Sequence, residues 1–429
     1  MHVSLDSALG RQRRLNSVGE SVLQIAPNAA AAYSLRSLTG GDPKVVRVRR
    51  KSDNAERDFT ASGVTSGALT SFVNEDVTIY QSDFSAGVNG FNATSTTTLT
   101  GNQDGVSDSA GTSKDNVLKV VKAADAQGYI QRDQGVVAGL TYTVSGSFLA
   151  LSANTSVDGI MIKDGLAGSS LSDYPSGYLV SDGTWKDFSF SYTAASDGNQ
   201  RVQLGISSLG NNPNSSSTGS SGDIVYIADL KFVETISNGF VETWYDQSGN
   251  SNDAVQETAG SQPKIVNAGT LLNELDFDGT DDTLAIDFGA DLSQANSLFM
   301  VHQSDTTTGS ANEFFDSSGS DSPRTLLDKS GSDYRMLAES SVGTGVAVTT
   351  DKSLIFALYN GASSLFAKNG TATSALNAGT SDINQNSTLG SSDNRFYDGT
   401  MQEFIVYNSD QSANRTAVET NINNHYSIF

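Results

Sequence analysis

The sequence contains no cysteine, and only three histidines and six prolines among its 429 residues. The absence of cysteine excludes disulfides, thiolate zinc sites and cysteine nucleophiles. Because His2, His302 and His425 are far apart in the sequence, a histidine metal centre or a Ser-His-Asp triad is not expected. No stretch approaches the roughly 20 apolar residues of a membrane span, and segment 1–19 lacks the apolar core of a secretory signal.

Positive charge is scarce outside the N-terminal region. Segment 1–58 holds ten Lys or Arg and six Asp or Glu, a net charge of +4, whereas the rest of the chain carries −26. A body this acidic repels nucleic acid and anionic membranes, so neither is an expected partner. A basic arm on an acidic body predicts docking onto another macromolecule, with Arg11, Arg13 and Arg14 as anchoring residues. A frayed terminus is the alternative.

The composition predicts an all-β protein with many turns. The 41 glycines and abundant Ser, Thr, Asn and Asp disfavour helices, while 14 Tyr, 19 Phe and recurring Val, Ile and Leu can form a core. Short alternating strands recur over 76–235 and again after Gly239. Two helices are expected, a short one at Ala29–Leu38 and a closing one at Ala413–Tyr426.

A basic strand is predicted at Val45–Arg50, where valine and arginine alternate. Arg47, Arg49, Arg50 and Lys51 could form a polyanion site. Because Asp53, Glu56 and Asp58 follow at once, a salt-bridged face is the favoured interpretation.

Three segments share a recognisable pattern: Ala31–Arg36, Val46–Asn54 and Trp244–Asn250, whose sequence is WYDQSGN. They resemble the start of the fungal-type α-L-arabinofuranosidase B catalytic domain, a concanavalin A-like sandwich. The same signature recurs in structural proteins of tailed bacteriophages. Leu275–Asp282 and Phe396–Phe404 are similar to the opening and closing hairpins of laminin G-like sandwiches.

About 160 residues separate Val73 from Gly239, segments that such sandwiches keep nearly adjacent. The intervening stretch resembles the jelly-roll carbohydrate-binding modules associated with xylanases, in Asp83-Phe84, Gly139–Ser145, Gly183–Phe190 and Tyr226–Leu230. Insertion into a loop costs little when the inserted domain's termini lie close together. The predicted fold is therefore all-β, a concanavalin A-like sandwich (29–75 and 236–429) interrupted by an inserted jelly roll (76–235), after an extended N-terminal arm (1–28).

The resemblance implies a bacteriophage virion protein, a tail or head fibre, spike or capsid decoration, that contacts host-surface glycans. Its expected partners are other virion proteins, through the arm, and further copies of itself in a homo-oligomer, for which a trimer is one form. Sugars stack on exposed aromatic rings and bond to amides. The candidate contacts are therefore Tyr174 and Tyr178 in a Pro/Ser/Gly loop, together with Asn394 and Tyr397.

Two alternatives stay open, a glycan-active hydrolase and a purely structural decoration protein. Glycoside hydrolysis needs two carboxyl groups across the scissile bond. The arabinofuranosidase resemblance implies Asp393 as the acid, but the family's nucleophile is not in register, since Glu339 is displaced by a few residues. An enzyme is therefore not the expected outcome.

No cofactor is required, and a structural Ca²⁺ is the one candidate. The jelly-roll resemblance places it between the first and last strands, with Asp83 and Asp229 as ligands, because Ca²⁺ prefers carboxylate and carbonyl oxygens. The run Asp278–Asp282 also concentrates carboxylates, although it lacks EF-hand spacing and is typical of a hairpin turn.

Overall fold

The structure is a computed structural model. It describes residues 19–93, 97–122, 128–150, 160–163, 183–206, 222, 224–307, 312–317, 323–392 and 395–429. These residues form two compact units: unit 1 comprises the chain up to Val73 together with Asn238–Phe429, and unit 2 is Asn74–Ser237.

The elements follow in chain order, and the helices among the described residues lie in unit 1. The first part of unit 1 contains α1 (Val22–Ile25), β1 (Ala31–Ser34), β2 (Lys44–Arg50), β3 (Glu56–Thr60), α2 (Ala61–Thr65) and α3 (Ala68–Val73). Unit 2 contains β4 (Val77–Ser82), β5 (Asn92–Ala93), β6 (Thr97–Gln103), β7 (Val106–Ser107), β8 (Ser113–Lys114), β9 (Val117–Lys122), β10 (Gly128–Val136), β11 (Thr141–Ala150), β12 (Ile160–Lys163), β13 (Lys186–Thr193), β14 (Gly198–Ile206) and β15 (Ile224–Ile236). The second part of unit 1 contains β16 (Gly239–Trp244), β17 (Ala254–Val255), β18 (Lys264–Asn267), β19 (Thr270–Asp278), β20 (Leu284–Asp287), β21 (Asn296–Ser304), β22 (Asn312–Asp316), β23 (Thr325–Ser330), β24 (Asp333–Ala338), β25 (Ser340–Ala347), β26 (Ser353–Tyr359), β27 (Leu365–Lys368), β28 (Thr371–Ala372), β29 (Asn386–Leu389), β30 (Ser391–Ser392), β31 (Arg395–Phe396), β32 (Asp398–Tyr407) and α4 (Arg415–Tyr426).

Unit 1 is built from two antiparallel runs of strands. One runs β28–β27–β26–β21–β32, with β1 and β19 paired to different stretches of the far edge of β32. The other runs β17–β20–β29–β22–β23–β24–β25. Strand β16 pairs with β2, β17 and β18, and so joins the two runs.

The inner core of unit 1 lies between these two runs of strands. A second apolar cluster covers the outer side of the first run. Trp244, Phe277, Phe314 and Tyr334 belong to the inner core. Outside the β21–β26–β32 face, Val418 and Ile422 of α4 pack with Phe299 in a second cluster. This explains why β26 is buried along its whole length, since both of its faces are covered.

The described part of unit 2 is built mainly from two antiparallel sheets, and β7 and β8 form a separate two-stranded sheet. The larger has the order β13–β11–β15–β9–β6, with β4 also paired to β15, and the smaller has the order β12–β14–β10–β5. Tyr142, Phe148, Phe232 and Leu230 lie in its core. The all-β prediction with sandwich-like sheets is thus confirmed. No described helix is long and apolar enough to cross a membrane.

One local prediction about the N-terminal region is wrong. Ala29–Leu38 contains strand β1 rather than a helix, and β1 is buried at all four positions and pairs with β32. The described end of the predicted arm, residues 19–28, includes α1, whose Val22 is buried with Ala26 in the cluster beneath α4, and the arm stays a prediction. The closing helix is confirmed as α4.

Candidate functional site

Several candidate residues from the sequence lie outside the described part of the chain. These are the anchoring residues Arg11, Arg13 and Arg14, the glycan candidates Tyr174, Tyr178 and Asn394, and the would-be acid Asp393. Their roles stay predictions. Glu339, displaced from the family's nucleophile position, is exposed after β24, and its Oε2 lies 3.5 Å from the Thr380 hydroxyl.

Tyr397 lies in the core rather than at a glycan-binding surface. Its side chain is 0% exposed, and its hydroxyl donates to the carbonyl oxygen of Gln303 at 2.7 Å. Burial raises the pKa of the Tyr397 hydroxyl well above its usual value. The ring is therefore unavailable for stacking on a sugar, which corrects the expectation from the sequence.

His302 lies beside Tyr397 and is equally buried. Its Nδ1 is 3.1 Å from the Tyr397 hydroxyl and its Nε2 is 2.8 Å from the Tyr334 hydroxyl. Burial lowers the pKa of His302 to about 3, so the ring is neutral near pH 7. Both ring nitrogens thus contact tyrosine hydroxyls inside the core.

The two predicted calcium ligands come close to each other. Ser82 pairs with Leu230 in the β4–β15 ladder, so Asp83 and Asp229 follow at adjacent positions where the ladder ends. Asp83 Oδ1 accepts from the Ser85 amide and hydroxyl, and Asp229 Oδ2 is 2.6 Å from Lys114 Nζ. Each carboxylate thus already has a protein donor, and the calcium site stays a prediction.

A second acidic group lies in the hairpin after β19. Carboxylate oxygens of Asp278, Asp281 and Asp282 lie within 4.8 Å of one another. Asp282 is buried, and its burial together with the charge of Asp278 raises its pKa to about 7. These oxygens have the chemistry that a hard cation prefers, although Asp282 Oδ2 also accepts from the Asp278 amide in an ordinary turn contact.

The WYDQSGN motif makes hydrogen bonds that connect distant segments of unit 1. Asp246 Oδ1 accepts from the amides of Ala32 and Ser248, and its Oδ2 accepts from the Ser248 hydroxyl and the Asn252 amide. The buried Gln247 donates to the carbonyl oxygens of Ser34 and Arg36. The residues that carry the family resemblance therefore hold the β1 segment in place.

The predicted salt-bridged face on β2 is confirmed in part. Arg47 pairs with Asp58 at 2.7 Å, and Arg50 pairs with Asp53 at 2.8 Å. Arg49 instead donates to Gln262 and to the side chain of Asn54. These arginines bind groups of the same unit, which corresponds to the favoured interpretation rather than to a polyanion site.

An open groove of about 1080 Å³ lies on the outward face of the β17–β20–β29 sheet. Strand alternation creates it, because Leu284, Ile286 and Leu389 point into the core, whereas Ala285 and Asn386 face outward. Strand β22 continues the same sheet beside β29. A pocket of this size with convergent polar groups is the geometry of a small-molecule or oligosaccharide site.

The lining of the groove combines acidic and amide groups with apolar surface. It includes the side chains of Asp253, Asp287 and Asp291, with the amides of Asn384 and Asn386, and contains no Lys or Arg among the described residues. Burial raises the pKa of Asp253, whose Oδ1 accepts from the Asp246 amide. Carboxylates and amides that face an open groove can accept from and donate to sugar hydroxyls.

A buried charge cluster adjoins the groove at β22. It consists of Glu313, Asp316 and Asp328, each 0% exposed, and their arginine partners Arg395, Arg324 and Arg335. Asp316 pairs across the ladder with Thr388, and Thr388 and Ser317 line the groove. Glu313, Asp328 and Arg335 follow one another across β22, β23 and β24, so they share this face.

Asp328 and Glu313 differ in how they are held. Asp328 accepts from Arg335 Nε at 2.8 Å and from its Nη2. Glu313 lies 3.0 Å from Arg395 Nε, but neither of its oxygens receives a hydrogen bond within the described structure. Burial raises the pKa of Glu313 to about 7, against the opposing effect of Arg395. A pKa near 7 means that the Glu313 carboxyl group is partly protonated at neutral pH.

Glu313→Gln is expected to reduce the pH dependence of stability between pH 5 and pH 8. A carboxyl whose pKa is higher in the folded state stabilises the fold while protonated, and this stability is lost as pH rises from the unfolded pKa through the folded one. At pH 8 the free energy of unfolding of the variant should exceed that of the native chain by on the order of 2 kcal/mol. Urea unfolding at several pH values measures this difference. If the free energy of unfolding changed equally with pH in both proteins, the prediction would be contradicted.

Comparison with known proteins gives only remote similarities. No family model matches the chain, and no curated protein matches it. The CBM22-1 xylan-binding domain of Paenibacillus barcinonensis Xyn10C is 10% identical, with 37% of this chain and 95% of that chain covered and a TM-score of 0.28. Trypanosoma rangeli sialidase in complex with sialic acid is 11% identical, with 71% and 60% covered and a TM-score of 0.31. Similarities this low transfer neither ligand nor activity to this chain.

Proposed function

We propose that the chain is a glycan-binding protein and that an oligosaccharide lies in the groove of unit 1. The observation that carries the proposal is the groove itself, an open volume of about 1080 Å³ on a rigid sheet face with acidic, amide and hydroxyl side chains along it. A groove with polar groups beside apolar surface suits a ligand with many hydroxyl groups. Asp287 and Asn386 lie on paired strands, which hold them in fixed positions, whereas Asp253, Asp291 and Asn384 lie in the adjoining loops.

We further infer that the protein acts on the surface of a bacteriophage virion, where it contacts host glycans. This inference rests on the family resemblance of the WYDQSGN and hairpin segments and on the acidic body with a basic N-terminal region. Arg11, Arg13 and Arg14 would contact other virion proteins. Many copies in a homo-oligomer would turn weak binding by each groove into firm attachment.

Ala285→Trp is expected to abolish glycan binding by filling the groove. Ala285 is exposed on β20 and lines the groove, so an indole there occupies ligand space without entering the core. The full chain is screened on a glycan array, and hits are measured by titration calorimetry. Ala372→Trp is the matched control, because Ala372 is an exposed alanine on β28 and does not line the groove.

A loss of at least tenfold in affinity for Ala285→Trp, with Ala372→Trp unchanged, is the expected result. Two results would overturn the groove proposal: array binding that both tryptophan variants retain, or a native chain that binds no glycan. Sedimentation of the native chain at several concentrations tests the homo-oligomer separately.

Hydrolysis is not part of the proposal. Glu313 and Asp328 are neighbours across β22 and β23, as a carboxyl pair would have to be. However, both are 0% exposed and each faces an arginine, so a substrate has no access to them in this conformation. An assay for new reducing ends on any glycan that binds should therefore show no turnover.

A further inference from the structure

A second cavity lies on the other side of the loop that borders the groove. Its volume is about 510 Å³. In this loop, Asp287 and Asp291 line the groove, whereas Phe288 and Leu292 line the second cavity. The two cavities are therefore neighbours with different linings, and the second one is called the asparagine pocket here.

The asparagine pocket has a mainly polar lining, with an amide rim and a small apolar floor. Ala29, Ala30 and Phe288 are buried and Leu292 is half-buried, whereas Asn28 and Asn408 are exposed. No described residue of its lining is charged. This is unusual on a chain with 48 acidic residues, and it disfavours a ligand whose recognition depends on ion pairing.

Hydrogen bonds inside the protein orient the amides of the rim. Asn250 Nδ2 donates to the carbonyl oxygens of Ala29 and Ala30, and Asn252 Nδ2 donates to that of Ala30. These contacts use the amide hydrogens, and the Oδ1 atom of each receives no hydrogen bond within the described structure. Two fixed acceptors thus remain at the pocket.

The other two rim residues supply donors. Asn408 Oδ1 accepts from Asn296 Nδ2 at 3.1 Å, which leaves Asn408 Nδ2 as the group for a ligand. The side chain of Asn28 makes no hydrogen bond to any described residue, and its backbone is held at a φ of 65°. The rim therefore presents both acceptors and donors around an apolar floor.

We propose that the asparagine pocket binds the acetamido group of an N-acetylated hexosamine. That group combines one N–H donor, one carbonyl acceptor and a methyl group, and it carries no charge. The acceptors of Asn250 and Asn252 match its N–H, the amide hydrogens of Asn28 and Asn408 match its carbonyl, and the methyl contacts Phe288 and Leu292. A volume of about 510 Å³ lies within the usual range of about 300–1,000 Å³ for such sites.

The experiment uses the full chain and N,N′,N″-triacetylchitotriose as the probe. Cellotriose and chitotriose, which lack the acetyl groups, are the comparison ligands. Saturation-transfer NMR should show its strongest signal at the acetamido methyl protons, because these contact the apolar floor. Calorimetry should give at least fivefold weaker binding for the two comparison ligands.

Asn28→Asp and Asn408→Asp are the test variants. Asn28 is exposed and Asp tolerates a positive φ, and Asn408→Asp keeps the oxygen that accepts from Asn296, so both should fold. Each removes a donor and adds a negative charge next to the ligand carbonyl, and each should weaken binding of the acetylated trimer by at least fivefold. Ala372→Trp, at an exposed position on β28 that lines neither cavity, should leave that affinity unchanged.

Three results would overturn the assignment: no saturation of the methyl protons, equal binding of acetylated and unacetylated trimers, or unchanged affinity in both aspartate variants. Trimer binding that Ala285→Trp abolishes while the aspartate variants retain it would place the acetamido sugar in the groove. That result would reject the asparagine pocket and leave the proposed function intact. Conversely, pocket binding can hold even if the array experiment rejects the groove.

Discussion

Arg335→Met is expected to lower the free energy of unfolding of unit 1 by about 3–5 kcal/mol. Asp328 is 0% exposed and receives two hydrogen bonds from the Arg335 fork. Without the guanidinium, its carboxylate is buried beside Glu313, which lies directly across the ladder. Asp328 then has no cation beside it, whereas Glu313 keeps Arg395 at 3.0 Å, and the cost of the unpaired buried carboxylate is far above that of losing a surface ion pair.

Urea denaturation of the full chain, followed by hydrogen exchange of peptides from β23 and β24, measures this loss within unit 1. The double variant Arg335→Met with Asp328→Leu is the control, because replacing both partners with apolar groups leaves no unpaired charge. It should recover most of the stability. If the double variant were as unstable as the single one, the loss would come from packing of the arginine stem and not from the buried charge.

Local sequence patterns predicted the elements that depend on local rules. Alternating residues predicted strands such as β2 and β20, and the acids after β2 predicted the salt bridges of Arg47 and Arg50. The helix α4 was found from its apolar spacing. In each case the sequence within about a dozen residues contains the determining contacts.

The β1 segment shows where local patterns fail. Ala29–Leu38 is rich in alanine, which favours a helix, yet Ala31–Ser34 is buried on both faces between distant parts of the chain. One edge pairs with β32, and the Ala32 amide donates to Asp246, 214 residues away. Tertiary contacts of this kind override a helix propensity of a few tenths of a kcal/mol per residue.

The candidate sites were also beyond local prediction. The groove combines strands β17, β20 and β29, which are separated by up to about 130 residues, and its outward positions include residues as plain as Ala285 and Asn386. The sequence predicts Tyr397 as a glycan contact, but its burial depends on Phe277 and His302 from other strands. The outward positions of β20 and β29 follow from alternation, but the sequence does not indicate that these two strands are neighbours.

Asp246→Ala is expected to cost about 3 kcal/mol or more, because one carboxylate accepts four hydrogen bonds in the WYDQSGN motif. Bonds to a charged acceptor contribute more than neutral ones, at about 1.5–3 kcal/mol each net of the bonds to water that they replace, and such contributions are not additive.

The bond to Ala32 makes the effect non-local. Its loss should raise hydrogen exchange in β1 and in residues 19–30 more than in β22–β24, and it should also disturb the asparagine pocket, whose floor contains Ala29 and Ala30. Asp410→Ala is the matched control, since Asp410 is exposed and accepts a single local bond from the Ser412 amide. Like most surface substitutions, it should lower the free energy of unfolding by less than about 1 kcal/mol. If the two variants were equally stable, the motif would not hold the β1 segment, and its resemblance to the sandwich family would need another physical explanation.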